Sequence, residues 1–296
     1  MTVPALVTEW QEQGEVVAVG GHDVFVVEQG PPTGPTLVLL HGFPGSSFDW
    51  RRVMAALSSR WRLLTFDFLG YGLSAKPDQA YSLFAQADLV EELLAARGVE
   101  RAALLAHDMG DTVAAELLAR TNPGGSGSAV EWTACMLTNG SIFIDMAQLT
   151  DGQKLLLTLP DERRTDSLGP EAMAFGLAAS FPPDRPAPDE MAAMVALILH
   201  EGGDRLLPRL IRYIEERRAH QARWTAGFVD FPGSLVLAWG DLDPIAVAAM
   251  PDRLADLRAR AGRDVELVHW PDIGHWPSVE DPDLVAGLVA DRLAVS

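Results

Sequence analysis

Three side chains of complementary chemistry stand far apart in the chain, each just behind a short apolar run: Asp108, Asp243 and His275. The first lies in Ala106-His107-Asp108-Met109-Gly110, which follows the apolar run 102–106 and opens an apparent helix over 111–120. A strand that turns sharply into a helix through small residues exposes the central side chain at the turn, where it can act as a nucleophile. A carboxylate in that place attacks saturated carbon and leaves an alkyl ester, so it suits an epoxide or an alkyl halide rather than an ester or amide. Asp also caps helix N-termini, but Asp111 already stands at that end, which leaves Asp108 free for chemistry.

An alkyl ester must then be hydrolysed, and that step needs a base. His275, in Gly274-His275-Trp276-Pro277 behind the last apolar run, can take a proton from water near neutral pH. Its rival His269 falls in or at the end of that run and reads as a packed side chain. In Trp239-Gly240-Asp241-Leu242-Asp243-Pro244, one carboxylate is expected to fix the imidazole tautomer and stabilise the imidazolium.

These residues need a scaffold. Runs 15–19 and 23–28, split by Gly20-Gly21, predict a hairpin. Further strands are expected at 36–40, 62–66, 102–106, 133–138, 235–238 and 265–268, with helices near 47–57, 82–97, 111–120 and 282–294. Strands alternating with helices imply a mostly parallel sheet covered on both faces, with ligands at the strand carboxyl ends. Between 141 and about 231 strand signals vanish, and helix-like stretches alternate with breaks such as Phe181-Pro182-Pro183-Asp184-Arg185-Pro186. The expected organisation is a core of 1–140 and 232–296, with 141–231 inserted after the sixth strand as a helical cap; a separate helical domain is the other reading.

Composition narrows the class. A 296-residue chain with 48% hydrophobic residues can bury a sizeable core. Its net charge of −18 disfavours nucleic acid and anionic membranes as partners. The one cysteine, Cys135, excludes an internal disulfide, fits a cytoplasmic location and sits in a core-like run. Residues 1–14 lack a secretory pattern, and no apolar run reaches the roughly 18 residues of a membrane span. The constellation needs no metal and no cofactor, and none is expected.

The order Asp108, Asp243, His275 resembles the nucleophile-acid-histidine order of α/β-hydrolases, in the epoxide hydrolase and haloalkane dehalogenase branch. The likeness runs from His41 to Pro282. The stretches 108–114, 138–143 and 212–224 look like the mesoderm-specific transcript family and its bacterial relatives. The resemblance implies an α/β-hydrolase fold. Its Gly-x-x-Asp-Pro pattern favours Asp243 over Asp241, and the alternative position for the acid holds Asn139, which cannot supply a full charge. His41-Gly42-Phe43-Pro44 resembles the oxyanion loop, which makes the backbone N–H groups of Phe43 and Met109 the expected donors and places His41 at the pocket.

Within this branch, dehalogenases usually carry Trp after the nucleophile and often Asn in the oxyanion loop; here Met109 and Phe43 stand there, and neither side chain offers an N–H to halide. The Arg residues that fluoroacetate dehalogenases place after the nucleophile are absent from 109–113. Epoxide hydrolases share His41-Gly42-Phe43-Pro44 and Gly70-Tyr71-Gly72-x-Ser74, and polarise the oxygen with cap tyrosines. Tyr213 falls in the matching segment, in a helix expected to open at Pro208, with Leu210 and Ile214 on its face. No second Tyr occurs between 141 and 204, so His200 is the candidate second donor; His220 lies about 10 Å further along the helix. The expected activity is conversion of a small apolar epoxide to a vicinal diol. The alternatives are a haloalkane dehalogenase using Trp224 or Trp276 as pocket donors, and a non-catalytic relative that binds a small ligand. A homodimer is compatible with all three.

Overall fold

The computed structural model describes residues 3–122, 124–183 and 185–293. Met1, Thr2, Asp184 and Ala294, which enter the terminal, Pro-rich and closing-helix expectations, lie outside the described residues. The strands are β1 (Glu15–Val19), β2 (His22–Gln29), β3 (Thr36–Leu40), β4 (Arg62–Phe66), β5 (Arg101–His107), β6 (Glu131–Thr138), β7 (Ser234–Gly240) and β8 (Glu266–Trp270). The helices before β7 are α1 (Ala5–Gln11), α2 (Arg51–Leu57), α3 (Leu83–Ala96), α4 (Met109–Thr121), α5 (Asp151–Thr158), α6 (Pro170–Ala178), α7 (Pro188–Leu199), α8 (Leu207–Leu210) and α9 (Tyr213–Asp230). After β7 come α10 (Ala249–Arg260), α11 (Pro277–Glu280) and α12 (Pro282–Arg292).

The strands form one sheet in the order β1-β2-β4-β3-β5-β6-β7-β8. Only β1–β2 and β2–β4 pair antiparallel; from β4 to β8 the sheet is parallel. The fold is therefore α/β with the α/β-hydrolase arrangement, as expected. Central strands read as unbroken apolar runs because both faces are covered. Alternation then sorts them: Leu37, Leu39, Ala103 and Leu105 enter one core layer, while Val38, Leu40, Leu104, Ala106 and Cys135 enter the other.

Chain order reverses at β3: β4 lies on one side of it and β5 on the other. Such a switch point leaves a crevice at the carboxyl ends of the diverging strands. The loop after β3 holds His41–Gly45, and the turn after β5 holds Asp108, so topology alone brings them together. All of α5–α9 falls between β6 and β7, and no strand occurs there among the described residues.

One expectation needs correction. Pro208 does open a helix, but that helix is α8 and it ends at Leu210. The chain tightens through Ile211 and Arg212, and Tyr213 becomes the first residue of α9. The Ile214 N–H bonds to the Ile211 carbonyl at 3.1 Å, a three-residue span that re-aims the helix axis.

Candidate active site

Asp108 sits at φ 49° and ψ −109°, a backbone conformation that costs an L-residue about 1–3 kcal/mol. The turn is possible because its neighbours are small. A Cβ at Gly42 would stand 2.7 Å from the Asp108 Cβ, and one at Gly110 would stand 2.5 Å from the Leu40 carbonyl oxygen. Close approach lets the Phe43 N–H donate to Asp108 Oδ2 at 2.9 Å. Met109, the other expected donor, begins α4, and its N–H makes no bond to the carboxylate in this geometry. Burial, then the Asp108 charge, pushes the Asp111 pKa well above its ordinary value.

His275 Nδ1 donates to Asp243 Oδ2 at 2.8 Å. Asp243 Oδ1 accepts from the Ile245 and Ala246 N–H groups at 2.7 and 3.0 Å. Burial works to lower the His275 pKa, but the Asp243 charge and hydrogen bond, followed by the Asp108 charge, outweigh it and leave it above the ordinary value. Asp241 and His269 pair with each other instead, at 2.6 Å, on the partly exposed rim. The two preferred residues, Asp243 and His275, thus bond to each other in the buried site, and their rivals bond to each other outside it.

Sequence reasoning set Asn139 aside because it is not an acid. In the fold its Nδ2 donates to Asp243 Oδ2 at 2.9 Å, and its Oδ1 accepts from the Gly240 N–H. Asn139 takes a positive φ of 50° at the end of β6, which Asn tolerates better than most residues. His107, just before the nucleophile, donates through Nε2 to the His275 carbonyl at 2.7 Å. Burial, then the neighbouring His275, pushes its pKa down to about 4, so it stays neutral. His41 is a loop organiser: its Nε2 accepts from the Phe68 N–H at 3.0 Å, and its Nδ1 donates to the Gly42 carbonyl.

The helical segment supplies Tyr213, whose ring lies 5.6 Å from that of Phe43. Burial and charge, with no hydrogen bond among the described residues, set the environment of its hydroxyl. Burial, then the Asp108 charge, moves its pKa well above the ordinary phenol value. Arg217, missed in the sequence, is 1% exposed and donates to Thr112 Oγ1 at 2.8 Å and to the Asp108 carbonyl at 3.3 Å. Its guanidinium lies 5.0 Å from the Tyr213 ring centre, and its Nη1 has no partner. Nothing in the local sequence marks Arg217, one of several charged residues on a polar helix.

The other candidates go elsewhere. The Trp224 N–H donates to Glu116 at 3.0 Å, and its ring packs on Phe84 and His220. The Trp276 N–H donates to Ser180 at 2.8 Å, while its ring stacks on Phe181 beside His107 and His275. His200 is half-buried, and its charged neighbours are Lys76, Glu201 and Asp67 rather than Asp108 or His275.

Asp108 and His275 are each 2% exposed, so the site is closed in this conformation. Two surface cavities, lined by residues such as Tyr81 and Gln86 or Arg258 and Val265, involve neither residue. Among the described residues no cluster of side chains could hold a metal ion, and no helix is long and apolar enough to cross a membrane.

Comparison with known proteins agrees with this geometry. The model of the alpha/beta hydrolase family matches residues 37–288. The chain is 38% identical over 291 residues to "Putative hydrolase LipZ" of Mycobacterium tuberculosis, spanning 97% of each. It is 34% identical to the mesoderm-specific transcript protein of Mus musculus, over 94% of this chain and 85% of that one. The fold also superposes on the haloalkane dehalogenase DbeA of Bradyrhizobium elkani with a TM-score of 0.74, at 22% identity, covering 96% and 99% of the two chains. Family model, full-length relatives and sheet order converge: the chain belongs to the alpha/beta hydrolase family.

Proposed function

We propose that the chain is a cofactor-independent epoxide hydrolase with 141–231 as its cap. One observation carries the reading. A buried cap phenol with an uncommitted hydroxyl, Tyr213, lies over the loop that holds Asp108, whereas the indole N–H groups of Trp224 and Trp276 are committed to Glu116 and Ser180. A departing oxygen finds here a donor that can also give up its proton, while the indole N–H groups that could clasp a halide are engaged elsewhere.

Asp108 attacks an epoxide carbon, the ring C–O bond breaks, and its electron pair goes to the oxygen, which takes the Tyr213 proton. Arg217 beneath the ring stabilises the phenolate that results. His275, held by Asp243, removes a proton from water as the hydroxide adds to the Asp108 carbonyl carbon. The oxyanion forms on the Asp108 side chain, where the Phe43 N–H already points. Collapse expels the diol oxygen, which takes the His275 proton, and the proton left on Asp108 returns to Tyr213. Water and epoxide are consumed, a vicinal diol is released, and each group recovers its starting state.

Reaction with styrene oxide tests the proposal, with a bromoalkane as the paired substrate. Diol release without halide release is the expected result. Halide release alone would transfer the chain to dehalogenation, and inertness across broad panels of both substrates would favour the ligand-binding alternative.

A further inference from the structure

The sequence between 141 and 204 offers no second phenol, yet one stands at the site from the other side. Tyr71, in the loop after β4, is 4% exposed. Its ring lies 6.4 Å from Phe43 and 5.3 Å from His41, so the Phe43 ring contacts a core tyrosine and the cap tyrosine, Tyr213, at once. The Tyr71 hydroxyl donates to Met109 Sδ at 3.2 Å, on the residue that follows the nucleophile. A thioether is a weak acceptor, so this buried O–H is held where a stronger acceptor can take it over. An oxygen that gains charge as an epoxide opens is such an acceptor.

We propose that Tyr71 is the second oxygen donor of this site: its O–H turns from Met109 Sδ to the oxygen leaving carbon, and with Tyr213 it forms a phenol pair drawn from core and cap. The inference rests on the epoxide reading above. The two phenols divide the work. Tyr213 has the Arg217 guanidinium against its ring and can surrender its proton; among the described residues no cation faces the Tyr71 ring, and its proton stays on the phenol while it hydrogen-bonds. Burial raises the pKa of both phenols, and only Tyr213 has a guanidinium working against that rise. No bond to Tyr71 forms or breaks in this role.

The test separates alkylation from hydrolysis. In a His275→Gln background, the rate of ester formation with styrene oxide is followed by rapid quench and intact mass, with and without Tyr71→Phe, which keeps the ring. Alkylation is expected to slow by about 10- to 100-fold. With His275 intact, hydrolysis of the preformed ester in the Tyr71→Phe single variant is expected to be unchanged. Equal alkylation rates in the two His275→Gln proteins, or equal slowing of alkylation and hydrolysis, would overturn the role of Tyr71. Failure of both to form any adduct, with the fold verified by circular dichroism, would overturn the epoxide reading and this inference with it.

Discussion

Asn139 Nδ2 donates at 2.9 Å to Asp243 Oδ2, the oxygen that receives His275 Nδ1 at 2.8 Å. The amide thus shares that oxygen with the imidazole, while two backbone N–H groups hold the other oxygen of the carboxylate. Asn139→Ala removes one bond to a charged acceptor and frees the carboxylate to rotate. Hydrolysis of the alkyl-enzyme is expected to slow about tenfold, with little change in alkylation. Single-turnover kinetics distinguishes the steps, and equal slowing of both would remove Asn139 from this role.

Asp108→Asn is expected to abolish turnover, measured as diol release after deamidation has been excluded by mass. His275→Gln is expected to accumulate the alkyl-enzyme, seen as a mass increase equal to one epoxide. Hydrolysis in that variant should fall by about 10²–10⁴. Normal steady turnover by the Asn variant contradicts the nucleophile assignment.

The pH dependence follows from charge. In the resting protein the His275 pKa lies above 6.5, raised by Asp243 and then by Asp108 against the lowering effect of burial. Esterification removes the Asp108 charge, so the imidazole in the intermediate titrates at lower pH than in the resting protein. Hydrolysis requires neutral His275, and its rate therefore rises with pH through that lower midpoint. Nuclear magnetic resonance titration of His275 in wild type and in Asp108→Asn is expected to give the lower midpoint for the variant; coincident midpoints would contradict the electrostatic coupling.

Glu116 joins α4 to α9 by accepting from Arg120, Arg223 and the Trp224 N–H. Burial raises its pKa, but the hydrogen bonds from Arg223, Arg120 and Trp224 outweigh this and hold it below the usual 4.5. A depressed carboxylate pKa stabilises the fold above the unfolded-state value, and that contribution fades as pH falls through the folded-state value. Glu116→Gln leaves two guanidinium groups less compensated and is expected to cost about 2–3 kcal/mol at neutral pH, less at low pH. Urea melts at pH 7 and pH 4 provide the comparison; an equal loss at both would point to packing alone.

The sequence determined what is local. Apolar runs fixed β3 and β4 to the residue, because burial on two faces leaves little freedom in where such a run begins and ends, and the Gly20-Gly21 turn fixed the end of the more exposed β1. Asp108, Asp243 and His275 were legible because each follows its own strand, and parallel topology brings those strand ends to one side. What crosses the chain was decided by tertiary structure. Asn139 became the partner of Asp243, Arg217 entered the back of the nucleophile turn, Tyr71 came to face Tyr213 across Phe43, and the two tryptophans were drawn to Glu116 and Ser180. Periodicity reports which face of an element is buried; it says nothing of which polar partner, remote in sequence, will satisfy a donor there. That choice depends on how the helices between β6 and β7 meet the sheet and α4, and only the assembled fold supplies it.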